Sequence, residues 1–149
     1  MSLSTSAYQA WAPRVLSVLR FVVGLCFFEH GLSKLFGFPH VAMFDHLHLF
    51  SLLGLQGVIE LVGGALVCVG LFTRPAAFIL SGDMAVAYFI AHLPKSVFPD
   101  VNGGDAAILY CFVFFYIFFA GAGPWSLDYA VRRAAFSEET ALAAGSRRA

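Results

Sequence analysis

Four stretches of this chain are almost unbroken apolar sequence, with turn-forming and polar residues gathered between them. They run from about Leu16 to Phe36, Gly54 to Phe72, Pro75 to Leu93 and Asp105 to Ala122. Each is close to the roughly 20 residues a helix needs to cross about 30 Å of hydrocarbon. The linkers carry turn chemistry: Gly37 and Pro39, then Thr73-Arg74-Pro75, then Pro94, Pro99 and Asn102-Gly103-Gly104. The short middle linker predicts a tight hairpin of the second and third spans. The pattern therefore predicts an all-α fold, a membrane four-helix bundle with four transmembrane helices. Residues 1–13 are expected as an N-terminal tail, 14–128 as the four-helix transmembrane domain and 129–149 as a C-terminal tail. The first span exceeds a signal-peptide core of about 7–15 residues and no A-x-A site follows it, so it is expected to be retained.

Composition agrees with this reading. Apolar residues make up 60% of the 149 and charged residues 12%, with seventeen Phe. Soluble domains average about 45–50% and about 25%. The net charge is zero and the basic residues are scattered, which excludes a nucleic-acid footprint. Cys26, Cys68 and Cys111 stand singly in three different spans, where small apolar packing is the expected role.

Charge sets the expected orientation. Arg14, Arg20, Arg74, Arg132, Arg133, Arg147 and Arg148 fall on one side of a four-span topology, and only Lys34 and Lys95 on the other. By the positive-inside rule both termini are cytoplasmic. The long first loop, 37–53, is expected outside as a short amphipathic helix holding His40, Asp45, His46 and His48. These histidines are read as solvated loop residues rather than as a metal site.

Ionisable residues inside the spans are the candidates for function, because a charge in hydrocarbon is costly and needs a partner. Glu29 and His30 lie in the first span, Glu60 in the second, and Asp83 and His92 in the third. At about 1.5 Å per residue, Glu29, His30 and Glu60 fall roughly 4–6 Å to the outer side of the midplane, and Lys34, His92 and Asp105 roughly 12–13 Å. Asp83 falls near the middle. A one-sided polar layer predicts a half-membrane pocket rather than a proton wire or a transport path. Glu60 shares a helical face with Gly57, Gly63 and Gly64, where a neighbouring backbone can approach. Asp83 and His92, nine residues apart, are half a revolution out of phase on a regular helix, so one of them is expected to be structural or to face a second subunit, as in a homo-oligomer.

Five local sequences in order resemble the DoxX family of small bacterial four-helix membrane proteins. They are HGLSKLFGF from His30, GVIELVGGALVCVGLFTRPAA from Gly57, MAVAYFIAH from Met84, NGGDAAILYC from Asn102 and GPWSLD from Gly123. The resemblance implies a multi-pass protein of the bacterial plasma (inner) membrane, with relatives linked to thiosulfate:quinone oxidoreduction and to quinone, thiol or oxidative stress. It also implies importance for His30, Lys34, Glu60, Arg74, His92, Asn102 and Asp105. The chain carries Asp105 where the family usually has Glu, one methylene shorter.

The leading expectation is a quinone-interacting, redox-associated subunit. Its candidate pocket is Glu29, His30, Lys34, Glu60, His92, Asn102 and Asp105, with Arg74, Asp83, Gly63 and Gly64 structural. No flavin, iron–sulfur or dithiol motif is visible, so electrons would come from a redox partner protein or a small reductant. The alternative is a non-catalytic scaffold for an oxidoreductase partner. Haem held by His30 and His92 is disfavoured, since the two differ in depth by roughly 6 Å.

Overall fold

The computed structural model describes residues 5–146. Helix α1 spans Thr5–Phe36, α2 Leu52–Val69, α3 Thr73–Ala87, α4 Pro99–Asn102, α5 Asp105–Ala120 and α6 Leu127–Ser146. Among the described residues there is no strand. Three helices are long and apolar enough to cross a membrane: α1, α2, and α3 with its continuation to His92. At 16 residues, α5 is shorter, and at about 1.5 Å per residue it spans about 24 Å. It is apolar on every side and supplies the fourth member of the bundle, Phe114 and Ile117 being fully buried.

The helices pack as two antiparallel pairs, α1 with α2 and α3 with α5, joined through α2 and α3. Small residues permit the first pairing. A Cβ on Gly24 would collide with the Cys68 backbone, one on Gly31 with Leu61, and one on Gly64 with Phe28. The backbones thus touch along three successive levels, as expected where dispersion rather than water expulsion drives association. Gly63 faces elsewhere, onto the Leu80 side chain of α3. The second pairing is held by Ser81, whose hydroxyl donates to the Cys111 carbonyl at 2.9 Å. Phe27 of α1 closes the centre, edge-on to Phe114 at 4.6 Å and to Tyr110 at 4.8 Å. The three cysteines are unpaired and half-buried. Outward-facing Phe21, Leu25, Val62, Phe78, Phe112 and Phe119 form an apolar jacket suited to lipid.

Residues 5–13 are helical and continue α1 without interruption. Two expectations are corrected. The 37–53 loop forms a single 3₁₀ turn, Ala42–Phe44, instead of an amphipathic helix. The third span is not a uniform helix: after Ala87 it widens into a π turn, Tyr88–His92, in which the Leu93 N–H donates to the Tyr88 carbonyl at 2.9 Å. The expected C-terminal tail is itself helical to Ser146, and Arg147 and Arg148 lie outside the described residues.

Candidate functional site

The site is built from the end of α1, the start of α2, the π turn and the loop after α1. Lys34 forms its floor, with Glu60 paired behind it. Lys34 points across to α2 and its Nζ lies 2.7 Å from each carboxylate oxygen of Glu60, both side chains being almost completely buried. Two opposite charges in this setting stabilise each other only as a pair; either alone would carry an uncompensated desolvation cost. Phe44 covers the ammonium, its ring centroid 5.8 Å from Nζ.

Asp83 does not stand apart from this layer. The Gln56 side chain lies beside it, and Glu60 and Lys34 are close enough to act on it electrostatically. Its Oδ2 is buried without a hydrogen-bond partner. The half-revolution separating Asp83 from His92 assumed a regular helix. The π turn advances the phase less per residue, and both residues come to the same cluster, Asp83 through Gln56 and His92 directly. π turns of this kind recur at functional sites.

Above the floor is a cavity of about 430 Å³. Glu29, His30, Ser33 and Lys34 line it from α1, Leu53 and Gln56 from α2, Ala87, Ala91 and His92 from the third span, and Pro39, Val41, Met43 and Phe44 from the loop. The Ser33 hydroxyl donates to the Pro39 carbonyl at 2.8 Å and pins that loop over the opening.

Both histidines are oriented alike. His30 Nδ1 donates to the Cys26 carbonyl at 2.8 Å, and His92 Nδ1 to the Asn102 carbonyl at 3.1 Å. A carbonyl only accepts, so the proton sits on Nδ1 and Nε2 is the nitrogen left for chemistry. His30 stacks on Phe27 and His92 on Tyr88.

Three candidates do not line the cavity: Glu60 lies behind Lys34, and Asn102 and Asp105 lie away from it. Asp105 is exposed in the first turn of α5. Asn102 is buried with both ends of its amide engaged: Nδ2 donates to the Ser96 carbonyl at 2.7 Å, and Oδ1 accepts from the Gly104 N–H at 2.7 Å. Its part is to fold the loop that orients His92. His40 pairs with Asp45 at 2.8 Å on the exposed loop.

Sequence reasoning treated Arg20 as a topology marker only. It is 2% exposed and ties three segments together. Nε donates to the Ala122 carbonyl at 2.8 Å, Nη1 to the carbonyls of Val67 and Cys68, and Nη2 to Trp125 at 2.6 Å. The GPWSLD segment wraps this residue. Trp125 N–H donates to the Ser17 hydroxyl at 3.2 Å, and Asp128 accepts from the N–H groups of Phe72 and Thr73, both at 2.9 Å. Burial acts to raise the Asp128 carboxyl, but those bonds, the neighbouring Thr73 hydroxyl and the charge of Arg132 outweigh it and hold it below its ordinary value. Arg74 adds a bond to the Phe118 carbonyl at 3.0 Å.

An all-helical bundle with lipid-suited faces and buried charges at one end defines an integral, multi-pass membrane protein. The chain belongs to the DoxX family, whose pattern matches residues 15–93. That match contains every cavity-lining residue together with Glu60 and Asp83, and it stops before Asn102 and Asp105. An uncharacterized protein of Haemophilus influenzae is 43% identical over 129 residues, covering 80% of this chain and 92% of the relative. An uncharacterized membrane protein of Mycobacterium tuberculosis is 31% identical over 154 residues, covering 86% and 92%. No solved structure matches the chain.

Proposed function

We propose that this protein is a redox-associated subunit of the bacterial plasma membrane that binds the carbonyl head of a quinone in the cavity between α1, α2 and the π turn. The observation that carries the reading is the meeting of two imidazoles and a buried ion pair in one apolar-walled cavity. Its volume of about 430 Å³ suits a small ring system, ligand pockets being about 300–1,000 Å³. Val41, Met43, Phe44 and Leu53 offer apolar walls for a ring and tail. The Nε2 atoms of His30 and His92, once protonated, donate to carbonyl oxygens. Behind them the Lys34–Glu60 pair and Asp83 can hold and pass protons, with the Gln56 amide placed beside Asp83. Converting a quinone to a quinol consumes two electrons and two protons; the electrons are assigned to a partner protein or a small reductant.

Titrating the purified protein with ubiquinone and menaquinone analogues tests this. Saturable binding is expected, weakened at least about tenfold, or about 1.4 kcal/mol, by His30→Ala. A wild-type protein that shows no saturation removes the proposal. A scaffold role is favoured by one separate observation, the exposed Phe38, Met43 and Phe50 on the loop beside the cavity. Co-purification of an oxidoreductase with a protein that binds no quinone would select it.

A further inference from the structure

A second cavity, of about 780 Å³, lies at the opposite end of the bundle, between the α2–α3 turn, the segment after α5 and the first turns of α6. Two guanidinium groups line it, those of Arg74 and Arg132. Each is steadied by a backbone carbonyl, Arg74 Nη1 by Phe118 at 3.0 Å and Arg132 Nε by Asp128 at 3.2 Å. A guanidinium has five N–H donors, so each fork keeps donors to spare. Asp128 is the acid on the cavity wall, and its carboxylate is engaged with the N–H groups of Phe72 and Thr73. The cavity therefore keeps a net positive charge. Arg74 lies over Gly121, where a Cβ would come within 3.3 Å of the guanidinium. The rim is apolar: Phe72 is 64% exposed and Val131 62%.

Two planar forks over a roomy cavity match the bidentate geometry of a phosphate group. The exposed apolar rim, at the end of spans that sit in lipid, matches the chain attached to such a group. We propose that this cavity binds the phosphate of an anionic phospholipid, with Arg74 and Arg132 on the headgroup and the acyl chains along Phe72 and Val131. Basic pockets between helices near a membrane surface recognise headgroups in this way.

The test is lipid retention by the purified full chain. Wild-type protein in detergent is exposed to equal phosphatidylglycerol and phosphatidylcholine, and bound lipid is counted by native mass spectrometry. Preferential retention of phosphatidylglycerol is expected. Arg74→Gln and Arg132→Gln should each lower it about fivefold, the effect of one basic residue near a charged lipid. Arg132→Gln removes an exposed bond within its own helix and a charge beside Asp128, so thermal unfolding of the same variant separates lost lipid from lost fold. Arg133→Gln, which faces a different groove, should leave retention unchanged. Equal retention of both lipids by the wild type, or an equal loss in Arg133→Gln, would overturn the proposal. Excess inorganic phosphate should displace little lipid; full displacement would mark a soluble-anion site instead.

Discussion

Lys34 and Glu60 illustrate how far single residues can be read. That each needed a partner was legible, since a charge in a span demands one. That they were each other's partner was not, because they are 26 positions apart and meet only once α1 and α2 pack. Lys34→Met leaves Glu60 buried and uncompensated, and is expected to cost about 3–5 kcal/mol. Lys34→Met combined with Glu60→Leu should recover most of that loss, as measured by unfolding in mixed micelles. Arg20 was legible only as a basic residue. The available signal was its position in a span beside small residues, combined with a Gly- and Pro-broken segment, 121–124, rich in free carbonyls. Arg20→Lys retains the charge but not the fork, so it should still destabilise the fold markedly.

At the scale of elements, hydropathy located the four span helices to within a few residues, apart from the start of α1 at Thr5, but missed how the third one ends. A π turn depends on the tertiary setting, here the docking of His92 on the Asn102 carbonyl and of Tyr88 against Gly104. No periodicity in the sequence announces it. The glycine-lined α1–α2 contact was half visible: Gly64 meets the α1 backbone, whereas Gly63 serves α3. Gly64→Ala is expected to cost about 1–3 kcal/mol by forcing the helices apart, while Gly82→Ala, with open space around it, should be neutral or mildly stabilising. Thermal unfolding of both variants checks the contrast. Asp128 caps α3 from a distant part of the chain. Its folded-state acidity is stronger than in the unfolded chain, so its contribution is present at neutral pH and is lost as pH falls through that lowered value. Asp128→Asn should flatten the acid limb of the stability profile below about pH 4.

For the whole molecule, composition settled the membrane class and the apolar pattern settled the bundle. The gathering of polar groups at one end was legible in outline because depth follows from residue count. Which groups share a cavity was not, since that depends on helix rotation and on the folding of the 37–53 loop. The expected orientation, with both termini cytoplasmic, can be checked by labelling single cysteines in intact cells. A cysteine at His48 should react with an impermeant reagent and one at Arg133 should not. The central claim is that a quinone head occupies the cavity floored by Lys34, with Glu60 paired behind it, and photolabelling with a photoreactive quinone analogue tests it most directly. The account predicts cross-links on the α1 segment around His30 and on the π turn around His92, suppressed by excess unlabelled quinone. Labels confined to outward-facing residues such as Phe112 and Phe119, and unaffected by competitor, would contradict it.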